Sequence, residues 1–263
     1  MLIESKNEYI PSLTRLWNEV FGDSEEYIKL FFNKAYYDCE IFAHFDGDTI
    51  ASAFYLLKCS IKYDGKVYNG RYLYAAATLP EYRGKGLMSE LIREAVSYGK
   101  NKKLDFIALV PADDGLYDYY GRFGFCEAMY KYRLNINKST ATMRSFREIS
   151  ESDEFGKIRN TADCNMLVYN KIGSEYAFDC LRFIGTRVFA VSDNSFYAEG
   201  EELFCGGTDC VIDARMLINN LCSETEVFTN VSLENAEKIR NGMVYNFRND
   251  VDFKDIYMNI ALD

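Results

Sequence analysis

Histidine is almost missing from this chain: His44 is the only one in 263 residues. That count excludes an HExxH zinc site and any histidine-rich metal cluster, and it leaves one imidazole to serve a serine or cysteine nucleophile. His44 alternates with Phe42 in the strand-like EIFAHF, which reads as a packed or surface position rather than a catalytic one. Long apolar runs are missing too, and none reaches the roughly 18 residues that a membrane span takes. The opening MLIESKNEYI lacks the basic-then-apolar layout of a signal peptide, so the expected location is the cytoplasm, with no membrane partner. No CxxC pair occurs among the eight cysteines, at 39, 59, 126, 164, 180, 205, 210 and 222. Most of them lie in apolar segments, as free thiols of a reduced compartment do. Positive charge is also short, with 30 Lys and Arg against 40 Asp and Glu and a net charge of −10. The one basic cluster, KNKK at 100–103, falls late in a predicted helix where cations complement the dipole. Neither a nucleic-acid partner nor a metal is therefore expected. An acidic surface favours a cationic partner, such as an amine.

What is present is a globular composition, 48% hydrophobic and 16% aromatic, too apolar for a disordered chain. The length allows one or two domains. Residues 8–21 set Leu13, Leu16, Trp17 and Val20 on one helical face. A second helix follows with Ile28, Phe31, Phe32 and Ala35 on one stripe, and with Asp23 and Glu26 in capping-box spacing at its start. Strand patterns CEIFAHF and IASAFYLLKCSIKY flank the turn DGDT, and Asp64-Gly65 signals a hairpin into KVYNG and RYLYAAATL. A helix is expected from Gly86 to Lys102, a buried strand in LDFIALV, and a strand in GFCEAMYKYRL. Between the last two, DDGLYDYYGRF reads as a short helix capped by Asp113 or Asp114. The first 135 residues thus read as mixed α/β, with a crossover between the strand ending at Leu79 and the strand starting at Leu104. NINKSTATM reads as a domain link. Beyond it come a helix capped by Ser174, strands TRVFAV and SFYAEG, a helix around CVIDARMLINNL, and strand-like EVFTNVS, GMVYNF and IYMNIAL. Glu199, Glu201 and Glu202 read as a solvated strand edge.

PEYRGKGL, residues 80–87, follows the apolar YLYAAATL and opens a helix. Two glycines one residue apart let the backbone curl and aim several N–H groups at one spot, and the positive helix end adds to it. Such a loop suits phosphate. The nucleotide-hydrolase loop fails here: its nearest stretch, GKVYNGRY, has Arg71 and Tyr72 where Lys and Ser or Thr belong. The dinucleotide fingerprint finds two of its three glycines at Gly84 and Gly86, with Ser89 at the third, and Asp105 starts the next strand instead of ending it.

TLPEYRGKGLMSELI resembles the acyl-CoA loop Q/R-x-x-G-x-G/A of the GNAT (GCN5-related) N-acetyltransferases, with Gly84 and Gly86 in place and Glu81 departing at the first position. DYYGRFGF resembles that family's aromatic-Tyr-x-x-x-Gly-Phe element through Tyr120, Gly124 and Phe125, and FGDSEEYIKLFF is similar to the bacterial branch containing the enhanced-intracellular-survival acetyltransferases. The resemblance implies an α/β fold of the GNAT type, a mixed, mostly antiparallel splayed sheet with helices, over residues 1–135. It implies a C-terminal α+β accessory domain, GNAT-like or sterol-carrier-like, over 136–263. It further implies a cytoplasmic bacterial transferase that uses acetyl-CoA as co-substrate and acetylates a primary amine by direct attack in a ternary complex. The alternative is a non-catalytic acyl-CoA-binding sensor or assembly protein on the same fold. By the same resemblance the strand Tyr74–Thr78 splays from Phe106–Val110 to admit the pantetheine arm, Ala77 and Thr78 lie beside the thioester, and Arg83, Gly84, Lys85, Gly86, Leu87, Met88 and Ser89 take the pyrophosphate. Tyr120 would protonate the departing thiolate, its phenol having a reference pKa of about 10. For the base, Glu40, Glu81, Asp113, Asp114 and a water chain stay open. So do the acceptor, a small molecule or a peptide, and a homo-oligomeric state.

Overall fold

In the computed structural model the described residues are 1–135, 147–161, 164–193, 195–198, 202–205, 226–232, 234–258 and 262. Helical apolar spacing builds α1 (Ile10–Phe21), which buries Leu13, Leu16 and Trp17, and α2 (Glu25–Lys34), which buries Ile28, Phe31 and Phe32. The cap of α2 is Ser24, whose hydroxyl accepts from the Tyr27 N–H at 3.2 Å. Asp23, expected in that role, lies one residue too early for it. Its Oδ2 instead accepts from Trp17 Nε1 at 2.8 Å.

β1 (Leu2–Ile3), β2 (Glu40–Asp46), β3 (Thr49–Tyr63) and β4 (Lys66–Thr78) form an antiparallel run. The Asp64-Gly65 hairpin forms as expected, with φ of 49° and 72° at its two central residues. α3 (Leu87–Lys102) then crosses over to β5 (Phe106–Leu109), parallel to β4. α4 (Asp114–Gly121) is capped by Asp113, which accepts from the Leu116 N–H at 3.1 Å, and leads into β6 (Cys126–Asn135).

The rest of the chain contributes β7 (Arg147–Glu148), α5 (Ser152–Thr161), β8 (Met166–Tyr169), α6 (Lys171–Phe183), β9 (Val188–Ser192), β10 (Ser195–Ala198), β11 (Glu202–Cys205), β12 (Glu226–Thr229), β13 (Glu237–Asn246) and β14 (Ile256–Met258). α6 starts earlier than its apolar pattern suggests. Asn170, not Ser174, is its cap, accepting from the Gly173 N–H at 2.8 Å, while Ser174 is buried in the first turn and donates to the Tyr169 carbonyl at 3.3 Å. Residues 136–143 of the expected link, the helix expected at CVIDARMLINNL, Glu199 and Glu201 lie outside the described residues.

The described strands make one sheet, and part of it closes on itself. β3 pairs with β4, β4 with β5, β5 with β13, β13 with β6, β6 with β14, β14 with β8, and β8 returns to β3. Closure is possible because β3 is long: β2 occupies its first part, from Thr49 to Leu56, and β8 takes Cys59–Lys62. Strands from both sides of position 135 are therefore interleaved in one hydrogen-bonded circuit, with β6 set between β13 and β14, which leaves its members no open edge there. The largest apolar core likewise spans both portions, joining Trp17, Phe31, Tyr74 and Phe106 to Tyr169, Tyr176, Met258 and Leu262.

Candidate active site

β4 and β5 pair only from Gly70–Phe106 to Tyr72–Ala108, and then part. A bulge in β4 accompanies the parting. Ala77 faces Ala53 and Tyr74 faces Tyr55, so Ala75 and Ala76 together oppose Phe54. Ala75 is held at φ 49°, the left-handed region, at a cost of roughly 1–2 kcal/mol for a residue with a Cβ. Between the diverging strands lies a cavity of about 290 Å³. Leu73, Tyr74, Ala75 and Ala76 of β4 form one wall, and Leu109 and Val110 form the other. Leu116 and Tyr120 of α4, Trp17 and Phe21 of α1, Tyr72, Ala112, Asp23 and Leu262 complete it.

Each tyrosine of α4 is placed differently. Tyr117 packs beneath the Arg240 guanidinium, 4.1 Å from its ring centroid. Tyr119 Oη lies 3.1 Å from Ser89 Oγ. Tyr120, only 6% exposed, stands edge-on to Phe125 with centroids 5.9 Å apart, and it lines the cavity. No described residue hydrogen-bonds its hydroxyl. Burial, with a smaller effect from Tyr119, pushes its phenol well above the usual range, so it stays protonated at neutral pH.

The loop before α3 has the conformation its glycines predict. Gly84 and Gly86 take φ of 74° and 82°, and Gly86 is the N-cap of α3. A Cβ added at either position meets nothing within 4 Å, so space beside this backbone is open. Arg83, Gly84, Lys85 and Gly86 are exposed, and Leu87, Met88 and Ser89 half-buried. The first N–H groups of α3 have no partner inside the helix and point out of its end. Arg83 Nε donates to the Thr78 carbonyl at 3.1 Å, and Lys85 Nζ lies 4.6 Å from the Tyr82 ring centroid.

Of the residues expected beside the thioester, Ala77 and Thr78 are engaged with β3. Ser52 Oγ donates to the Ala77 carbonyl at 3.0 Å and sits 2.8 Å from Thr78 Oγ1. The part of β4 that lines the cavity is its neighbour, Tyr72–Ala76. None of the carboxylates considered as bases lines it. Glu40 is clamped by Arg71 Nε and Nη2, both at 2.7 Å, and by the Tyr98 hydroxyl at 2.8 Å. Burial raises the Glu40 pKa, but the Arg71 hydrogen bonds and charge, with Tyr98, outweigh it and leave the carboxyl below its usual value. Asp113 caps α4, Asp114 pairs with Arg240 at 2.6 Å, and Glu81 is exposed. The carboxylate that does line the cavity is Asp23. The sequence pattern missed it because a helix start explains an aspartate there without further need.

His44 is at the surface, its Nε2 3.3 Å from Glu90. Among the described residues no three His, Cys, Asp or Glu side chains gather as a metal site would require, and no helix is long and apolar enough to cross a membrane.

Residues 2–128 match the family model of the acetyltransferase (GNAT) domain. No curated protein matches the sequence. Among solved structures, a conserved protein of Enterococcus faecalis V583 superposes with a TM-score of 0.72 at 11% identity, covering 93% of this chain and 71% of that one. A GCN5-related N-acetyltransferase from Anabaena variabilis gives 0.66 at 15% identity over 93% of this chain and 72% of its own. Eis1 from Mycobacterium abscessus gives 0.66 at 8% identity, over 93% and 73%. At such identities the likeness is one of fold, and the fold is that of the GNAT acyltransferases.

Proposed function

We propose that this chain is an acetyl-CoA-dependent N-acetyltransferase acting on a primary amine in a ternary complex. The observation that carries the reading is the meeting of three features at one parting of strands. These are the strained bulge at Ala75, the buried hydroxyl of Tyr120 in the same cavity, and the Gly84–Gly86 loop at the end of the same strand.

The residues fit the co-substrate. The open backbone from Arg83 to Ser89 and the α3 N-terminus would bind the diphosphate, with Arg83 and Lys85 adding positive charge. The stretch of β4 beyond Tyr72, released from β5, offers backbone groups to the amides of pantetheine as a neighbouring strand would. An N–H of the Ala75–Ala76 bulge would polarise the thioester carbonyl, where negative charge develops. The amine lone pair attacks the carbonyl carbon and a C–N bond forms. The C–S bond breaks, its electron pair leaves with sulfur, and the Tyr120 hydroxyl supplies the proton that makes the thiol. One proton of the attacking nitrogen goes to solvent, and the phenol regains its own from water.

Residues 136–263 are proposed to narrow the acceptor side. Leu262 lines the cavity, and Tyr176 of α6 holds the Tyr74 hydroxyl at 2.9 Å. Bacterial, cytoplasmic residence accompanies this reading as an expectation. Thiol release from acetyl-CoA across an amine panel tests it, beside a thermal shift in acetyl-CoA. Saturating binding raises apparent stability by about 2.7 kcal/mol at a hundredfold excess over the dissociation constant. Binding with no thiol release across the panel would leave the sensor alternative in its place.

A further inference from the structure

We infer that the acceptor is a monoamine with an aromatic or otherwise apolar body, its ammonium seated on Asp23 and its body against Trp17, Phe21 and Tyr74. The inference rests on the acyltransferase reading and names the substrate class of the same cavity.

Charge comes first. Asp23 is the one charged side chain among the described residues that line the cavity. Its Oδ2 accepts from Trp17 Nε1 at 2.8 Å, which fixes the carboxyl plane and leaves Oδ1 to a donor from the ligand. One carboxylate matches one ammonium, and that ammonium releases one proton to solvent to free the lone pair that attacks, before the second proton leaves with C–N bond formation. The other polar groups of that side are already engaged: Tyr72 Oη donates to the Leu262 carbonyl at 3.4 Å, and Tyr74 Oη shares a hydrogen bond with Tyr176 Oη at 2.9 Å. A polycation or an amino sugar would bring many donors to a wall with few acceptors to spare, and each buried unpaired group costs roughly 1–3 kcal/mol.

Shape and size agree. The cavity holds about 290 Å³, on the order of ten water-sized units at roughly 30 Å³ each. The acetyl thioester needs part of that space, so the acceptor must be small. Trp17 stands edge-on to both Tyr74 (5.4 Å, 74°) and Phe21 (6.0 Å, 68°). Such a corner packs an aryl or alkyl body and attracts a cation through the ring faces. Phe21 is 45% exposed although it lines the cavity, an apolar side chain left facing the solvent that an entering ligand would displace.

The chain supplies its own reporter, because Trp17 is its only tryptophan. The experiment uses the full chain, with 2-phenylethylamine, spermidine and an amino sugar bearing three ammonium groups as probes. Thiol release is followed for wild type and Asp23→Asn, and Trp17 emission is followed on titrating each amine with coenzyme A present. The expected result is a kcat/KM for 2-phenylethylamine at least tenfold above the other two and a saturable change in emission with that amine. Asp23→Asn should raise its KM tenfold or more while leaving the KM for acetyl-CoA in place. Equal or reversed preference overturns the substrate class and leaves acyl transfer standing, and an unchanged amine KM in Asp23→Asn removes the anchor. If no amine releases thiol, acyl transfer itself fails. Emission then decides the seat separately: a saturable response to 2-phenylethylamine supports it, and none overturns it.

Discussion

Tyr117, Tyr119 and Tyr120 share one short helix, and their neighbours alone separate them. An arginine covers the first, a serine bonds the second, and the third keeps a buried hydroxyl in the cavity. In the sequence, the resemblance that rests on its spacing to Gly124 marks Tyr120 as the candidate; the engagement of the other two is not visible there. Removal of that hydroxyl in Tyr120→Phe should lower kcat about a hundredfold or more with the KM for acetyl-CoA little changed, since an acid acts on the leaving group and not on binding. Because burial raises this phenol, it remains protonated throughout the ordinary alkaline range, and a kcat–pH profile should show no fall assignable to Tyr120 up to about pH 10. Glu40 has the opposite sign. Its carboxyl is depressed when folded, so it adds stability above the unfolded value, about 4.3, and that stability is lost as pH falls through the folded value. Arg71→Ala should therefore cost about 2–3 kcal/mol in urea unfolding at pH 7, and progressively less as the pH falls through the depressed folded value of Glu40 in the wild type.

At the scale of the element, the loop and the bulge do similar backbone work and were unequally legible. Gly84 and Gly86 are chemically marked, because left-handed backbone costs glycine little. Ala75 stands in a run of three alanines with nothing to distinguish it. Its left-handed φ is imposed by the register of β3, which fits two residues against Phe54. Two substitutions separate the roles. Gly86→Ala places a Cβ in open space, so the fold survives at a cost of roughly 1–2 kcal/mol from φ alone. Its acetyl-CoA dissociation constant should rise at least tenfold in calorimetric titration, because the strained loop no longer presents its N–H groups together. Ala75→Val puts a β-branched side chain where even alanine is strained, and should cost about 1–3 kcal/mol in thermal unfolding while lowering kcat. A bulge that tolerated valine with full turnover would have no part in polarising the thioester.

For the whole molecule, the sequence pattern identified most strands without showing how they join. GMVYNF reads plainly as a strand, yet nothing local says that β13 sits between β5 and β6. The short apolar MLVY of β8 passed unmarked, since four buried residues carry no period, and only its pairing with Cys59–Lys62 gives it a place. Both are long-range facts, set by a closed circuit whose members come from either side of position 135. That circuit makes a definite demand on the chain. A fragment of residues 1–135 would expose the partnerless edges of β5 and β6 and lose β8 from β3, so it should aggregate or melt without cooperativity, whatever the integrity of its glycine loop. A single substitution tests the same point inside the full chain. At Gly242 of β13 an added Cβ would lie 2.4 Å from Met129 Cε and 2.8 Å from the Leu109 carbonyl oxygen. The methionine can swing aside, but the backbone oxygen cannot. Gly242→Val should then cost about 3 kcal/mol or more in chemical unfolding, and because β13 is the strand bonded to β5, the loss should carry acetyl-CoA binding with it. Retention of full stability and affinity in that variant would mean that β5 is held without β13, and the acyl site with it.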